Sequence, residues 1–209
     1  MERLSKSVAI LIMGPMRAGK TTAAGYFREK YGIPRHSCAD KLKELQIAVT
    51  GNYEKDREWL QQNGEGHRKV FGEDFWANQL TSTLFDQNIT SFAVDDIRYP
   101  NEFERLMSYS MSCCDLVIPI FVKVSLENMI ARGGETSLMN HESEEFARRL
   151  QNNIKTDQEC EYVTVQGNNV LVIDGNLPVQ EYFWSLHSNV FLPVKNKLQI
   201  VDIYEVEGD

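Results

Sequence analysis

Gly14-Pro15-Met16-Arg17-Ala18-Gly19-Lys20-Thr21 fits the pattern G-x-x-x-x-G-K-[ST], the phosphate-binding P-loop. The chemistry needs those residue types at that spacing. Glycines let the backbone curl until successive N–H groups point into one concavity, an anion nest. A helix starting at the end of the loop adds the positive end of its dipole. Lys20 has the reach to meet the β- and γ-phosphates of a nucleoside triphosphate, and the Thr21 hydroxyl is a ligand suited to Mg²⁺. The flanks agree. Residues 7–13, Ser-Val-Ala-Ile-Leu-Ile-Met, form a short apolar run that reads as a buried strand. Residues 22–31 read as a helix stopped by Gly32 and Pro34.

Outward from the loop, strand-like and helix-like segments alternate, which predicts an α/β fold with a central, mainly parallel sheet covered by helices on both faces. Residues 33–37 are expected as a short strand. Asp40 is expected to cap a helix ending at Gly51. Residues 54–87 are helical in pattern, with breaks expected near Asn63-Gly64 and at Gly72. Further strands are expected at 91–95, 116–124 and 169–173, with Pro119 marking a bulge or an edge position. Helices are expected from Asn101 and from Pro178 to Leu186. The tail alternates apolar and polar residues over 197–205 and is expected to add an edge strand.

The bulk numbers bound the class. A chain of 209 residues suffices for one well-packed domain, and 25% charged with 42% hydrophobic residues is the balance of a soluble globule. The net charge of −8 argues against a nucleic-acid partner, because backbone binding needs a cationic surface. No apolar run is long enough for a bilayer, and residues 1–6 lack a secretory pattern, so a cytoplasmic protein (host cytoplasm for a viral chain) is expected. Cys38, Cys113, Cys114 and Cys160 show neither C-x-x-C nor zinc-ligand spacing and read as reduced thiols.

Two further constellations carry chemistry. Residues 92–102, Phe-Ala-Val-Asp-Asp-Ile-Arg-Tyr-Pro-Asn-Glu, place Asp95 and Asp96 at a strand's C-terminal end, where open parallel sheets gather ligands. Either carboxylate could join Thr21 in holding Mg²⁺ through water, and Arg98 could grip a phosphate in a bidentate fork. Read alone, the stretch fits an Asp–Arg pair closing a turn equally well; the P-loop favours the ligand reading. Residues 57–76 combine Arg57 and Arg68 with Trp76, which suits a second phosphate and a flat ring, or else solvated arginines around a buried indole. His67 is given no role.

The ordered pieces include the P-loop, Ala39-Asp40-Lys41-Leu42-Lys43-Glu44, Leu60-Gln61-x-x-Gly64-Glu65-x-x-Arg68 and Asp74-x-Trp76. Asp96-x-Arg98-Tyr99-x-Asn101-Glu102, His141-x-Ser143-Glu144 and Ile173-Asp174-Gly175-Asn176-Leu177 complete the set. Over roughly residues 8–186 the chain resembles the phage-type deoxynucleoside monophosphate kinases of the P-loop nucleotide-kinase superfamily. The resemblance implies a three-layer α/β/α domain over residues 1–189. It also implies a helical acceptor-binding region at about 40–88 and a lid at about 130–150, leaving 190–209 as a tail. It implies transfer of the ATP γ-phosphoryl group to a deoxynucleoside 5′-monophosphate, with Mg²⁺. Carried over by position, Gly14, Arg17, Ala18, Gly19, Lys20, Thr21, Thr22 and Arg132 hold ATP. Lys43, Gly64, Arg68, Trp76, Asp96, Arg98 and Glu102 line the acceptor site. Lys20, Arg98, Arg68 and Arg17 are the catalytic set, and Thr21, Asp95 and Asp96 the metal set. Many relatives pair through helices, so the resemblance leaves both a monomer and a homodimer open. Thr21 stands where many relatives carry aspartate, and the lid region is short. Two rival readings compete: another small-molecule P-loop kinase, acting on phosphomevalonate or dephospho-coenzyme A, and a nucleotide-dependent switch that hydrolyses ATP slowly.

Overall fold

The computed structural model describes residues 6–134, 142–157 and 160–194. The first strand, β1 (Val8–Met13), is buried along its whole length. Successive strand residues face opposite sides. Ala9, Leu11 and Met13 join one core cluster, and Val8, Ile10 and Ile12 join another. A strand apolar on both faces must be covered on both, and this decides the three-layer arrangement.

Around β1 the chain builds a seven-stranded sheet. It follows α1 (Lys20–Tyr31), β2 (Arg35–His36), α2 (Asp40–Thr50), α3 (Arg57–Phe71), α4 (Phe75–Asp86) and β3 (Phe92–Ile97). Then come α5 (Pro100–Cys113), β4 (Leu116–Lys123), α6 (Leu126–Ala131) and α7 (Glu142–Asn152). The short β5 (Lys155–Thr156), β6 (Glu161–Val165), β7 (Asn168–Asp174) and α8 (Val179–Leu186) close the series. The strand order is β2-β3-β1-β4-β7-β6-β5. The first five are parallel neighbours, and β6 and β5 add on antiparallel. One face is covered by side chains such as Leu42, Trp76, Leu80, Phe103 and Leu150, from α2, α4, α5 and α7. The other is covered by Ala23, Phe27 and Tyr31 of α1, Met129 of α6 and Leu186 of α8. Phe27 is fully buried against Phe191, and truncating such a side chain to alanine costs about 3–5 kcal/mol.

Within the described residues the expected strands and helices are present, with informative differences. No break occurs at Asn63-Gly64; α3 runs through it. A Cβ on Gly64 would lie 3.1 Å from Leu42 Cδ2, so this glycine serves the close packing of α3 on α2. The break at Gly72 is real, with φ at 100°. Asp40 is the first residue inside α2, not its cap, and its carboxylate accepts the Ser37 N–H at 2.8 Å. Pro119 causes no bulge: β4 pairs with β1 in unbroken register from Leu116 to Phe121. On the other side, β4 pairs with β7 only from Ile120 onward, so Pro119 falls where that side is still open. The β6–β7 hairpin was not anticipated at β6; Gln166 and Gly167, both with positive φ, form its two-residue turn. After α8 the chain keeps winding, first as a wider turn over His187–Phe191 and then tightly over Leu192–Val194. The expected edge strand at 197–205 and part of the expected lid, including His141, lie outside the described residues.

The register sets the stage for the site. Met13 of β1 pairs with Ile97 of β3. Gly14 and Arg98 are the next residues of the two strands, so the P-loop and the arginine turn leave the sheet side by side at one carboxyl edge.

Candidate active site

The P-loop is shaped by contacts that only glycine tolerates. At Gly14 φ is 142°, and a Cβ there would lie 2.4 Å from the Val122 carbonyl oxygen of β4. Gly19 caps α1 with φ at 106°, and Arg17 also takes a positive φ of 58°. Lys20 donates from Nζ to the carbonyl oxygens of Gly14 (2.7 Å) and Pro15 (2.6 Å), bridging the loop from within. The residue as a whole is partly exposed, but its ammonium is enclosed by the loop. That burial lowers its pKa to about 8; Glu144 opposes the shift, Arg98 adds to it, and Asp95 and Asp96 oppose it.

Asp95 and Asp96, adjacent on β3, point apart and do different work. Asp95 is almost fully buried. Its Oδ2 accepts the Thr21 hydroxyl at 2.7 Å and Arg35 Nε at 2.8 Å, while Oδ1 has no hydrogen-bond partner. Burial works against the Arg35 charge, but the hydrogen bond and charge of Asp95 outweigh it and raise the guanidinium pKa. A buried carboxylate with an unused oxygen beside a P-loop hydroxyl is a hard-oxygen donor set that fits Mg²⁺. Among the described residues no cluster of three or more carboxylate, histidine or cysteine side chains could hold a metal unaided. Phosphate and water would therefore have to complete the shell, which is the normal habit of Mg²⁺. Asp96 faces the other way. It accepts from the Ser37 hydroxyl (2.5 Å) and the Cys38 and Ala39 amides (2.8 and 3.2 Å), tying β3 to the turn before α2. The metal position expected at Asp96 is therefore taken by a structural role, and Asp95 alone meets Thr21.

Beside the loop stands a cationic cluster. The Arg98 side chain is 48% exposed; its Nη1 lies 3.4 Å from Ser143 Oγ and 3.6 Å from Glu144 Oε1. Arg68 packs its guanidinium 3.6 Å from the centre of the Tyr99 ring and reaches Glu102 at 3.4 Å. Glu102 is buried at the start of α5, where its carboxylate accepts the Arg98 and Tyr99 amides at 2.9 and 3.3 Å. Burial raises its pKa to about 7, against the pull of the Arg98 amide; Asp96 adds to the rise, while Arg68 and the Tyr99 amide oppose it. Glu102 thus caps a helix and holds Arg68, and its carboxylate is not presented to the cleft. Lys43 pairs with Asp40 at 3.0 Å. Lys55, not singled out by sequence, belongs to the same field. Burial lowers its pKa, and the charges of Arg98, Lys43 and Arg57 lower it further.

Besides Asp96 and Glu102, two more of the expected acceptor residues take packing roles. Trp76 is 6% exposed and its indole N–H donates to the Gly64 carbonyl at 3.0 Å, which locks α4 onto α3. A ring packed in the core offers no platform to a base. Gly64, as described, is a packing contact.

On the other flank of the loop lies a cavity of about 410 Å³ lined by Arg17, Ala18, Gly19, Lys20, Thr21, Thr22, Arg132, Gly175, Leu177, Val179 and Tyr182. It joins residues 17–22 of the expected ATP-binding set and Arg132 to a slot formed with Leu177, Val179 and Tyr182; Gly14, also expected there, is not part of the lining. Arg132 donates to the carbonyls of Arg17 (3.2 Å) and Gly175 (2.7 Å), two residues that also line the cavity. The Tyr182 hydroxyl donates to the Gly19 carbonyl at 3.2 Å. Val179 and Tyr182 were missed because nothing local marks them; only the docking of α8 on α1 brings them to the loop.

The chain matches no known family profile and no curated protein sequence. Its structure is similar to solved kinases. A sugar kinase from Janibacter sp. HTCC2649 is 13% identical with a TM-score of 0.50, covering 87% of this chain and 93% of that one. A shikimate kinase from Aquifex aeolicus is 12% identical with a TM-score of 0.47, covering 87% and 95%. At such identity the first likeness is one of fold alone. What is shared is the fold, a mainly parallel α/β sheet with helices on both faces.

Proposed function

We propose that this chain transfers the γ-phosphoryl group of ATP to the phosphate of a deoxynucleoside 5′-monophosphate, giving the diphosphate and ADP. The observation that carries the reading is the pairing of Met13 with Ile97, which launches the P-loop and Arg98 from one edge of the sheet. A phosphate-binding loop and a second set of cations leave neighbouring strands at one edge of the sheet, which suits a donor and an anionic acceptor.

In this reading the loop amides and Lys20 bind the β- and γ-oxygens. The slot between Arg132 and Tyr182 takes the nucleoside of ATP. Mg²⁺ at Thr21 and Asp95 would neutralise charge on the phosphate oxygens. Arg98 and Arg68, with Lys43 and Lys55 behind them, hold the acceptor phosphate and screen its repulsion from the donor. Arg17, at the mouth of the loop, adds charge where the transferred group develops it. No general base is needed, because an acceptor phosphate oxygen is already ionised. Closure against water keeps hydrolysis from competing.

A panel of acceptors with ATP and Mg²⁺, read by product identity, tests the reading. The panel holds deoxy- and ribonucleoside monophosphates, phosphomevalonate, dephospho-coenzyme A and water. Deoxynucleoside diphosphate is the expected product. Turnover confined to another acceptor would move the chain to a different kinase class, and acceptor-independent hydrolysis would favour a nucleotide switch.

A further inference from the structure

Glu144 belongs to a motif that the reading above leaves without a role. It is the third residue of α7, and it is 8% exposed. Ala147 and Leu150, three and six residues further on, are buried in the core and anchor that face of the helix. So placed, Glu144 points into the P-loop. Its Oε2 accepts the Met16 amide at 2.9 Å, and its Oε1 lies 3.6 Å from Arg98 Nη1. Its charge is also the strongest acidic influence on Lys20. One carboxylate therefore engages an amide of the anion nest with one oxygen and the acceptor-side arginine with the other. It stands between the two places where phosphates are proposed to sit.

We propose that Glu144 is a built-in anion that occupies the Met16 amide of the P-loop while no nucleotide is bound, and that donor binding evicts it and frees Arg98 for the acceptor. The proposal rests on the reading of the P-loop as the triphosphate site and of Arg98 as an acceptor ligand. A carboxylate on the Met16 amide and a terminal phosphate in the same loop work against each other, because like charges at contact distance repel and both draw on that amide. The loop must shed Glu144 before it accepts the triphosphate, and the apparent affinity for ATP is reduced by the fraction of molecules still occupied. Release also removes the carboxylate from Arg98, so donor binding prepares the acceptor side.

Glu144→Gln keeps the size and an acceptor oxygen for Met16 N–H but removes the charge. Titration calorimetry with ATP and with adenosine, on wild type, Glu144→Gln and Lys20→Ala, separates the outcomes. We expect Glu144→Gln to bind ATP about tenfold more tightly than wild type and adenosine unchanged, since adenosine brings no phosphate to compete. Unchanged or weaker ATP binding by Glu144→Gln overturns the proposal. A lower Tm with loss of affinity for both ligands would show Glu144 to be a helix anchor only, which also overturns it. If Lys20→Ala binds ATP as well as wild type does, the triphosphate site itself is misplaced, and the proposal fails with it in a way distinct from an inert Glu144. Should Glu144→Gln not fold, a wild-type crystal structure with adenylyl imidodiphosphate decides. Glu144 withdrawn from Met16 N supports the proposal, and Glu144 still on Met16 N beside the bound phosphates overturns it.

Discussion

ATP should arrive at this protein together with a proton. Lys20 has a pKa of about 8 because its ammonium is buried among the carbonyls of Gly14 and Pro15. A triphosphate in the loop sets several negative charges against that ammonium and restores an ordinary or higher lysine pKa. With the free pKa at about 8, binding should take up about 0.8 proton at about pH 8.5 and about 0.1 at about pH 7. Titration calorimetry in two buffers of different ionisation enthalpy reads that uptake directly. ATP affinity should also fall as pH rises above 8, since more Lys20 must be reprotonated. Lys20→Arg, charged at every working pH, should show no uptake over the same range. Uptake that does not grow between pH 7 and pH 8.5, or growth that survives Lys20→Arg, would refute the argument.

Three other outcomes are expected. Arg98→Ala should raise the acceptor KM or lower kcat by at least about tenfold while leaving ATP affinity near wild type, read by steady-state kinetics and nucleotide titration; a change confined to ATP affinity would misplace the acceptor phosphate. Glu102 titrates near 7 in the folded protein against 4.5 as an ordinary carboxyl, so the folded state holds more protons between those values and stability falls as pH rises through that window. Glu102→Gln, which keeps an oxygen for the Arg98 and Tyr99 amides, should flatten that slope in denaturant melts, and an unaltered slope would assign the titration elsewhere. Gly175→Ala would put a Cβ 2.2 Å from the Ala18 carbonyl oxygen, beneath the P-loop, and should cost about 3 kcal/mol of unfolding free energy; an unchanged denaturation midpoint would show that the loop floor yields freely.

The sequence made the P-loop legible because its glycines answer to backbone geometry, which is local. The same holds for the buried run of β1 and the break at Gly72. The two aspartates show the limit. Alternation along a strand dictates that Asp95 and Asp96 face opposite ways, but only the tertiary docking of α1 beside β3 decides that Asp95 meets Thr21. Glu102 and Trp76 were drawn toward the acceptor because they are polar or flat and stand near arginines. Both turn out to hold the cleft wall together, the one as a helix cap and the other as a buried strut. The start of a helix was legible in Pro100 followed by Glu102 in the first turn, where a glutamate serves the helix end. Arg35, Lys55 and Tyr182 reach the site from elements whose sequence marks no ligand, so no local pattern could have named them. The β6 strand escaped because its turn, Gln166-Gly167, lacks the commoner asparagine or aspartate before glycine.

The most direct test is a crystal structure of the protein with ADP and a deoxynucleoside monophosphate bound together. The account predicts the β-phosphate of ADP within hydrogen-bond reach of Lys20 and the loop amides, the adenosine beside Arg132 and Tyr182, and the monophosphate on Arg98 and Arg68. An empty P-loop, or a monophosphate bound away from Arg98, would contradict it.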